Sequence, residues 1–161
     1  MTIYVFRHGV AEDSGPDGFD ASRRLTAKGV AKLRGVLERA REAGVSPQYI
    51  LTSPYTRALE TAKLAKEILG FEEDLIETDV LVPYRGAVEV WEEILLYRDA
   101  AELMVVGHNP LLSDFVRMLT GADGRGAGMK KGAIARLDIP SLSGPPHGTL
   151  TWLLRARPAG E

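Results

Sequence analysis

The sequence predicts an α/β fold: a three-layer α/β/α sandwich on a mainly parallel sheet of about six strands, with helices on both faces. Three observations predict it. The runs Ile3-Tyr4-Val5-Phe6 and Leu103-Met104-Val105-Val106 are short and wholly apolar, as strands buried on both faces are. Between the strand-like runs lie segments whose apolar residues recur at helical spacing. The junctions hold capping residues and breakers, such as Ser53-Pro54 and Asn109-Pro110, so strand passes quickly to helix. Strands alternating with helices imply parallel neighbours joined by crossovers.

Taken in order, the first strand ends at Arg7-His8-Gly9 and a loop runs from about Val10 to Leu25. That loop is polar and rich in breakers (Ser14, Gly15, Pro16, Asp17, Gly18, Asp20), a composition shared by surface excursions and by covers of active sites. Thr26 is a suitable N-cap for a first helix striped by Val30, Leu33, Leu37 and Ala40, with Gly44 as its stop. Tyr49-Ile50-Leu51-Thr52 is a second strand, and Ser53 and Pro54 read as N-cap and first residue of a helix reaching Leu69 and ending at Gly70. A third strand is expected over Leu75 to Val82, then a helix from about Ala87 to Tyr97 burying Val88, Trp91 and Leu95. The fourth strand breaks into Gly107-His108-Asn109-Pro110, where Asn109 reads as N-cap and Pro110 as first helical residue. The helix that follows buries Leu112, Phe115, Val116 and Leu119. After a glycine-rich connection from Gly121 to Gly128, Lys131 to Asp138 and Thr149 to Leu154 form two last strands. With no helix between them, these two are expected to pair antiparallel at one side of the sheet.

Bulk properties narrow the functional classes. The 161 residues suit one domain spanning 1–161 with a core of its own. A net charge of −2 gives no overall basic field toward nucleic acid or an anionic membrane, so neither is expected as a partner. Cysteine is absent, which removes disulfides, thiolate catalysis and cysteine-bound metals. The chain enters its first strand without a signal-like segment, and no apolar run approaches a bilayer's thickness, so a cytoplasmic location is the expectation.

Three strand ends carry chemistry. In a parallel sheet, ligands bind beyond the carboxyl ends of strands. Neighbouring strand ends would bring Arg7, His8, Arg57 and His108 into one pocket. Arginine offers phosphate a forked, permanently charged grip, and neutral imidazole can attack phosphorus. Arg57 lies in the first turn of its helix, where a cation opposes the helix dipole and an anionic ligand would account for it. The bland alternative for Arg57 is an i,i+3 pair with Glu60. Two histidines among arginines do not make a metal site, since no third ligand is apparent and the arginines repel cations. His147, between Pro146 and Gly148, reads as surface turn.

The three motifs, in this order, resemble the histidine phosphatase superfamily of phosphoglycerate mutase-like enzymes: Arg7-His8-Gly9 first, then Ser53-Pro54 with Arg57-Ala58 and Glu60-Thr61-Ala62, then Gly107-His108-Asn109-Pro110. The short length, and Arg23 to Thr26 leading into the first helix, look most like the SixA-type phosphohistidine phosphatases. The resemblance implies His8 as nucleophile, with Arg7, Arg57 and His108 around the phosphoryl group and no metal or other cofactor. It also implies Arg23 as a further phosphate ligand, with Arg24 as rival because the arginine is doubled where the family has proline. Ser53 and Asn109 are expected to cap and shape the pocket.

One departure bears on substrate. Larger relatives place a glutamate shortly after the third strand as general acid, whereas this chain reads Leu81-Val82-Pro83-Tyr84. An alkoxide leaving group needs that proton; an imidazole, protonated on its other nitrogen, depends on it less. The expected substrate is therefore phosphohistidine on a protein such as a phosphorelay domain, unless Glu12, Asp79 or Glu89 reaches in as the acid. A small-molecule phosphate monoesterase is the rival expectation, ahead of a mutase and of a phospho-ligand binding domain without turnover.

Overall fold

A computed structural model describes residues 1–121 and 128–157. Most of the expected Gly121 to Gly128 connection therefore lies outside the described residues. Six strands form one sheet: β1 (Thr2–Arg7), β2 (Tyr49–Thr52), β3 (Ile76–Glu77), β4 (Glu102–Gly107), β5 (Ile134–Asp138) and β6 (Thr149–Leu154). Their spatial order is β3-β2-β4-β1-β5-β6. The first four in that order run parallel, while β5 is antiparallel to β1 and β6 to β5. The helices are α1 (Ala27–Glu42), α2 (Thr56–Leu69), α3 (Ala87–Ile94) and α4 (Leu111–Thr120).

The unbroken apolar runs now have their cause. Side chains alternate across a sheet, so a strand covered on both sides must be apolar at every position. Ile3, Val5, Leu103 and Val105 join Trp91, Leu112 and Phe115 in a core beneath α3 and α4. Tyr4, Phe6, Met104 and Val106 join Leu33, Leu37 and Ala62 beneath α1 and α2 on the opposite face. Thr26 caps α1 by accepting from the Gly29 amide at 2.9 Å, and Gly44 and Gly70 take the left-handed turns that end their helices.

Several boundaries differ from expectation. The third strand shrinks to Ile76–Glu77, because Asp79–Leu81 curls into a 3-10 turn capped by Thr78. Helix α2 begins at Thr56, not Pro54: the Ser53 hydroxyl accepts from the Tyr55 amide and shapes a turn ahead of the helix. Helix α4 begins at Leu111, after a cis Asn109-Pro110 bond, and the Asn109 side chain accepts from the Ser113 amide. In α3 the buried residues are Val90, Trp91 and Ile94, while Val88 is exposed, because the helix is rotated from the stripe read in the sequence.

Candidate active site

The sheet order makes β2, β4 and β1 adjacent, so the three motif-bearing strand ends meet. The register pairs Arg7 with Gly107, which sets His8 and His108 side by side one residue further on, ring centroids 5.1 Å apart. Arg7, His8, Arg57 and His108 all line one cleft of about 370 Å³, with Asp20, Arg23, Tyr84 and Lys131 around them.

His8 is buried, and its backbone amide donates to the Gly107 carbonyl. Its Nδ1 lies 2.7 Å from the Gly9 carbonyl oxygen. A carbonyl only accepts, so Nδ1 carries the proton and Nε2 keeps its lone pair. Arg57 Nε lies 3.4 Å from that Nε2. Burial, opposed by the Gly9 bond and aided by the charges of Arg57, Arg7 and Lys131, lowers the His8 pKa to about 4. The ring is therefore neutral at physiological pH. His108 is driven lower still, by burial first and then by His8 and Arg57. Its Nε2 is 2.8 Å from the Ser53 hydroxyl, and its Nδ1 is buried without a partner. Among the described residues, only Arg7 Nε shares that unpaired, buried condition.

The surrounding chain holds these groups from behind. Thr61, one helical turn beyond Arg57, donates to the Arg57 carbonyl and accepts from the Gly9 amide at 3.2 Å. A Cβ on Gly9 would stand 2.7 Å from Leu33, so glycine here admits helix α1 against the loop. The Met129 carbonyl accepts from both Arg7 Nη1 and Asn109 Nδ2, tying the segment before β5 to the ends of β1 and β4.

Asp20 went unremarked as a site residue in the sequence, yet it sits among the site's cations. Its carboxylate bonds Arg57 Nη2 at 3.1 Å and Arg23 Nη1 at 2.9 Å, and its carbonyl accepts from Arg57 Nη1. Burial raises the Asp20 pKa, but the bonds and charges of Arg23 and Arg57 outweigh it, and the net shift is downward. The only sequence signal was its i,i+3 spacing from Arg23 in a loop of breakers. Lys131 was likewise missed and left no signal. Arg23 lines the cleft, while its rival Arg24 turns away to Glu12. Arg57 pairs with Asp20, not with Glu60, whose carboxylate instead accepts from the Leu25 amide. None of Glu12, Asp79 and Glu89 lines the cleft; Glu89 is bonded to Arg85. Asn109 lines the cleft and Ser53 holds His108 from behind it, although neither is the N-cap of its helix.

The profile of the histidine phosphatase superfamily (branch 1) matches residues 3–82, which include Arg7, His8 and Arg57. The chain belongs to the histidine phosphatase superfamily. A protein of Picosynechococcus sp. of undescribed function is 34% identical over 139 residues, 85% of this chain and 84% of its own. Among solved structures, the protein histidine phosphatase SixA complexed with tungstate superposes with a TM-score of 0.86 at 24% identity over 96% of both chains. The alpha-ribazole phosphatase from Shigella flexneri gives 0.73 at 18% identity over 97% of both chains. These likenesses establish that the histidine phosphatase fold extends through β4 and α4, past the end of the profile match.

Among the described residues no helix is long and apolar enough to cross a membrane, and no group of three or more His, Asp or Glu side chains is placed to hold a metal ion.

Proposed function

We propose that the protein is a phosphatase that removes the phosphoryl group from phosphohistidine on a protein, through a covalent phosphohistidine on His8. The observation that carries this reading is the hydrogen bonding of His8, with Nδ1 committed to the Gly9 carbonyl and Nε2 left as a lone pair beside Arg57. In the first step the Nε2 lone pair attacks phosphorus and the P–N bond to the substrate imidazole breaks. That imidazole, protonated on its other nitrogen, leaves neutral. The His8 ring keeps its Nδ1 proton, so the phosphoenzyme is a phosphoimidazolium whose positive charge the Gly9 carbonyl stabilises. In the second step water attacks phosphorus, the P–Nε2 bond breaks, and dihydrogen phosphate departs from neutral His8. Neither step needs a metal.

Arg7, Arg57, Arg23 and His108 would hold the three phosphoryl oxygens as charge moves along the line of transfer. Preorganised donors of this kind are commonly the largest catalytic contribution. The two unpaired buried nitrogens, Arg7 Nε and His108 Nδ1, belong to residues already in the cleft. With the Ser53 hydroxyl donating to His108 Nε2, Nδ1 would carry the proton and donate to a phosphoryl oxygen.

Phosphohistidine is favoured over esters because, among the described residues, no carboxylic acid stands ready in the cleft. Of the cleft's carboxylates, Asp20 is held ionised by two arginines and Asp114 bonds Arg117 at 3.0 Å. A protein substrate of the phosphorelay kind also suits a cytoplasmic location. The test is phosphate release from a phosphohistidine protein and from a panel of phosphate monoesters at equal concentration, with His8→Ala as control. Fast, His8-dependent release from phosphohistidine with slow ester turnover is expected. Ester turnover at an equal rate would move the assignment to a small-molecule phosphatase.

A further inference from the structure

We propose that the cleft continues into a second anion site, formed by Lys32, Lys130 and Arg155 together with Lys131 and Arg7, which receives acidic side chains flanking the phosphohistidine of a protein substrate. This rests on the reading of a protein phosphohistidine substrate.

A depression of about 450 Å³ is lined by Arg7, Val10, Lys32, Lys130, Lys131, Arg155 and Ala156. It shares Arg7 and Lys131 with the cleft, and among the described residues its lining includes five cationic residues and no carboxylate. Among the described residues none of Lys32, Lys130, Lys131 and Arg155 is ion-paired. For a chain of net charge −2, with most of its surface arginines paired to neighbouring acids, this is a local concentration of unbalanced charge. Like charges gathered without counter-ions are unfavourable in the free protein, and an anionic partner relieves that repulsion.

The backbone holds the group in place. Gly132 takes φ +79, and its amide donates to the carbonyls of both Arg7 and His8. The Met129 carbonyl between the two chain turns is held by Arg7 and Asn109. Lys130 and Lys131 therefore project from a segment pinned to the end of β1, and Lys131 is near enough to His8 to help lower its pKa. Across the depression, Arg39 donates to the Arg155 carbonyl at 2.7 Å, anchoring the chain just past β6.

The occupant is a protein surface and not a small bisphosphate. Lys130, Lys131 and Arg155 are solvent-exposed, so the depression is broad and open to a partner's surface. The adjoining cleft carries an exposed aromatic, since Tyr84 lines it and is 91% exposed, and Phe19, next in the chain to the cleft residue Asp20, is 70% exposed. Aromatic residues and arginine are enriched in protein interfaces, and a charged rim of lysines steers a partner of opposite sign. Acidic groups on the partner would meet the lysines while its phosphohistidine enters between Arg7 and Arg57.

The test compares wild type with the combined variant Lys32→Gln, Lys130→Gln and Arg155→Gln, leaving Arg7 and Lys131 intact. Substrates are a phosphotransfer domain of net negative charge, carrying phosphohistidine, and free phosphohistidine. On the domain, kcat/KM is expected to fall by about tenfold, through KM, with a flatter dependence on salt, as for lost electrostatic steering. Turnover of free phosphohistidine is expected to stay within about twofold. Equal losses on both substrates, or no loss on the domain, would overturn the second site. In parallel, binding of the unphosphorylated domain is titrated with and without the three substitutions. If wild type hydrolyses free phosphohistidine but not the domain, the protein-substrate reading fails; weaker binding by the variant would then still support the acidic docking surface, and equal binding would refute it.

Discussion

His8 and His108 stand at equivalent places on neighbouring parallel strands, each one residue beyond a paired position and each buried in the same cleft. Their rings are nonetheless set up oppositely. His8 commits Nδ1 to a carbonyl, which can only accept, and so has Nε2 as a base. His108 commits Nε2 to the Ser53 hydroxyl, which can accept or donate, and leaves Nδ1 without a partner. Strand position thus brings the two imidazoles together, while the partner behind each ring decides which nitrogen is left open to the cleft and, in the proposed reaction, whether it attacks or donates. This is the logic by which the atom behind a metal-bound histidine fixes its tautomer, applied to a site that is metal-free in the proposed reaction.

The comparison can be broken most directly by removing each ring in turn. With His8→Ala, phosphate release is expected to fall by more than about a thousandfold, since His8 is the nucleophile of the proposed reaction. Inorganic phosphate should still bind by calorimetry, and no acid-labile phosphoenzyme should form. With His108→Ala, a loss on the order of a hundredfold is expected, the usual cost of one transition-state donor. Here the phosphoenzyme should still be trapped on His8 after a rapid quench. A variant lacking His108 that forms no phosphoenzyme would show the two rings to be interchangeable in importance.

The depressed pKa values sharpen the comparison through stability. A histidine titrating near 4 when folded and near its ordinary 6.5 when unfolded takes up its proton first in the unfolded chain. Stability is then fully present above about pH 6.5 and is lost as pH falls toward 4, by at most roughly 3 kcal/mol from His8. His108 contributes in the same direction. Denaturant titrations of wild type, His8→Gln and His108→Gln between pH 7 and 4 should show a shallower decline in each variant. An unchanged slope would mean that the ring replaced is solvated and ordinary.

The smallest effect separates the doubled arginine. Arg23→Gln is expected to raise KM by about tenfold, through loss of a charge-assisted contact. Arg24→Gln, changing a half-exposed pair with Glu12, should stay within about twofold. Steady-state kinetics on one substrate decides it, and reversed magnitudes would put Arg24 at the phosphoryl group.

The sequence made the centre of the fold legible and blurred its margins. Strands buried on both faces leave a continuous apolar run, so β1 and β4 could be placed within a residue or so, and the cleft residues at their ends came with them. The third strand could not, because a two-residue edge strand carries no period, and Glu77 and Asp79 sit where a buried strand would be apolar. Helix starts at Ser53-Pro54 and Asn109-Pro110 were misjudged for one reason: both polar side chains serve as turn or pocket ligands before the helix proper begins. Arg23 could not be told from Arg24 because neighbouring residues in an irregular loop point in unrelated directions. Asp20 was invisible because its role depends on Arg57, thirty-seven positions away in the chain.

That aspartate has a consequence for what the cleft will accept. Its carboxylate already occupies the grip of Arg57 and Arg23, so an arriving anion is weighed against an incumbent tethered at high local concentration. Chloride or a carboxylic acid offers those arginines nothing the incumbent lacks. A doubly charged tetrahedral group, as in the proposed substrate, does, and displacement would then filter the crowd of weaker cellular anions from a pocket that would otherwise hold them.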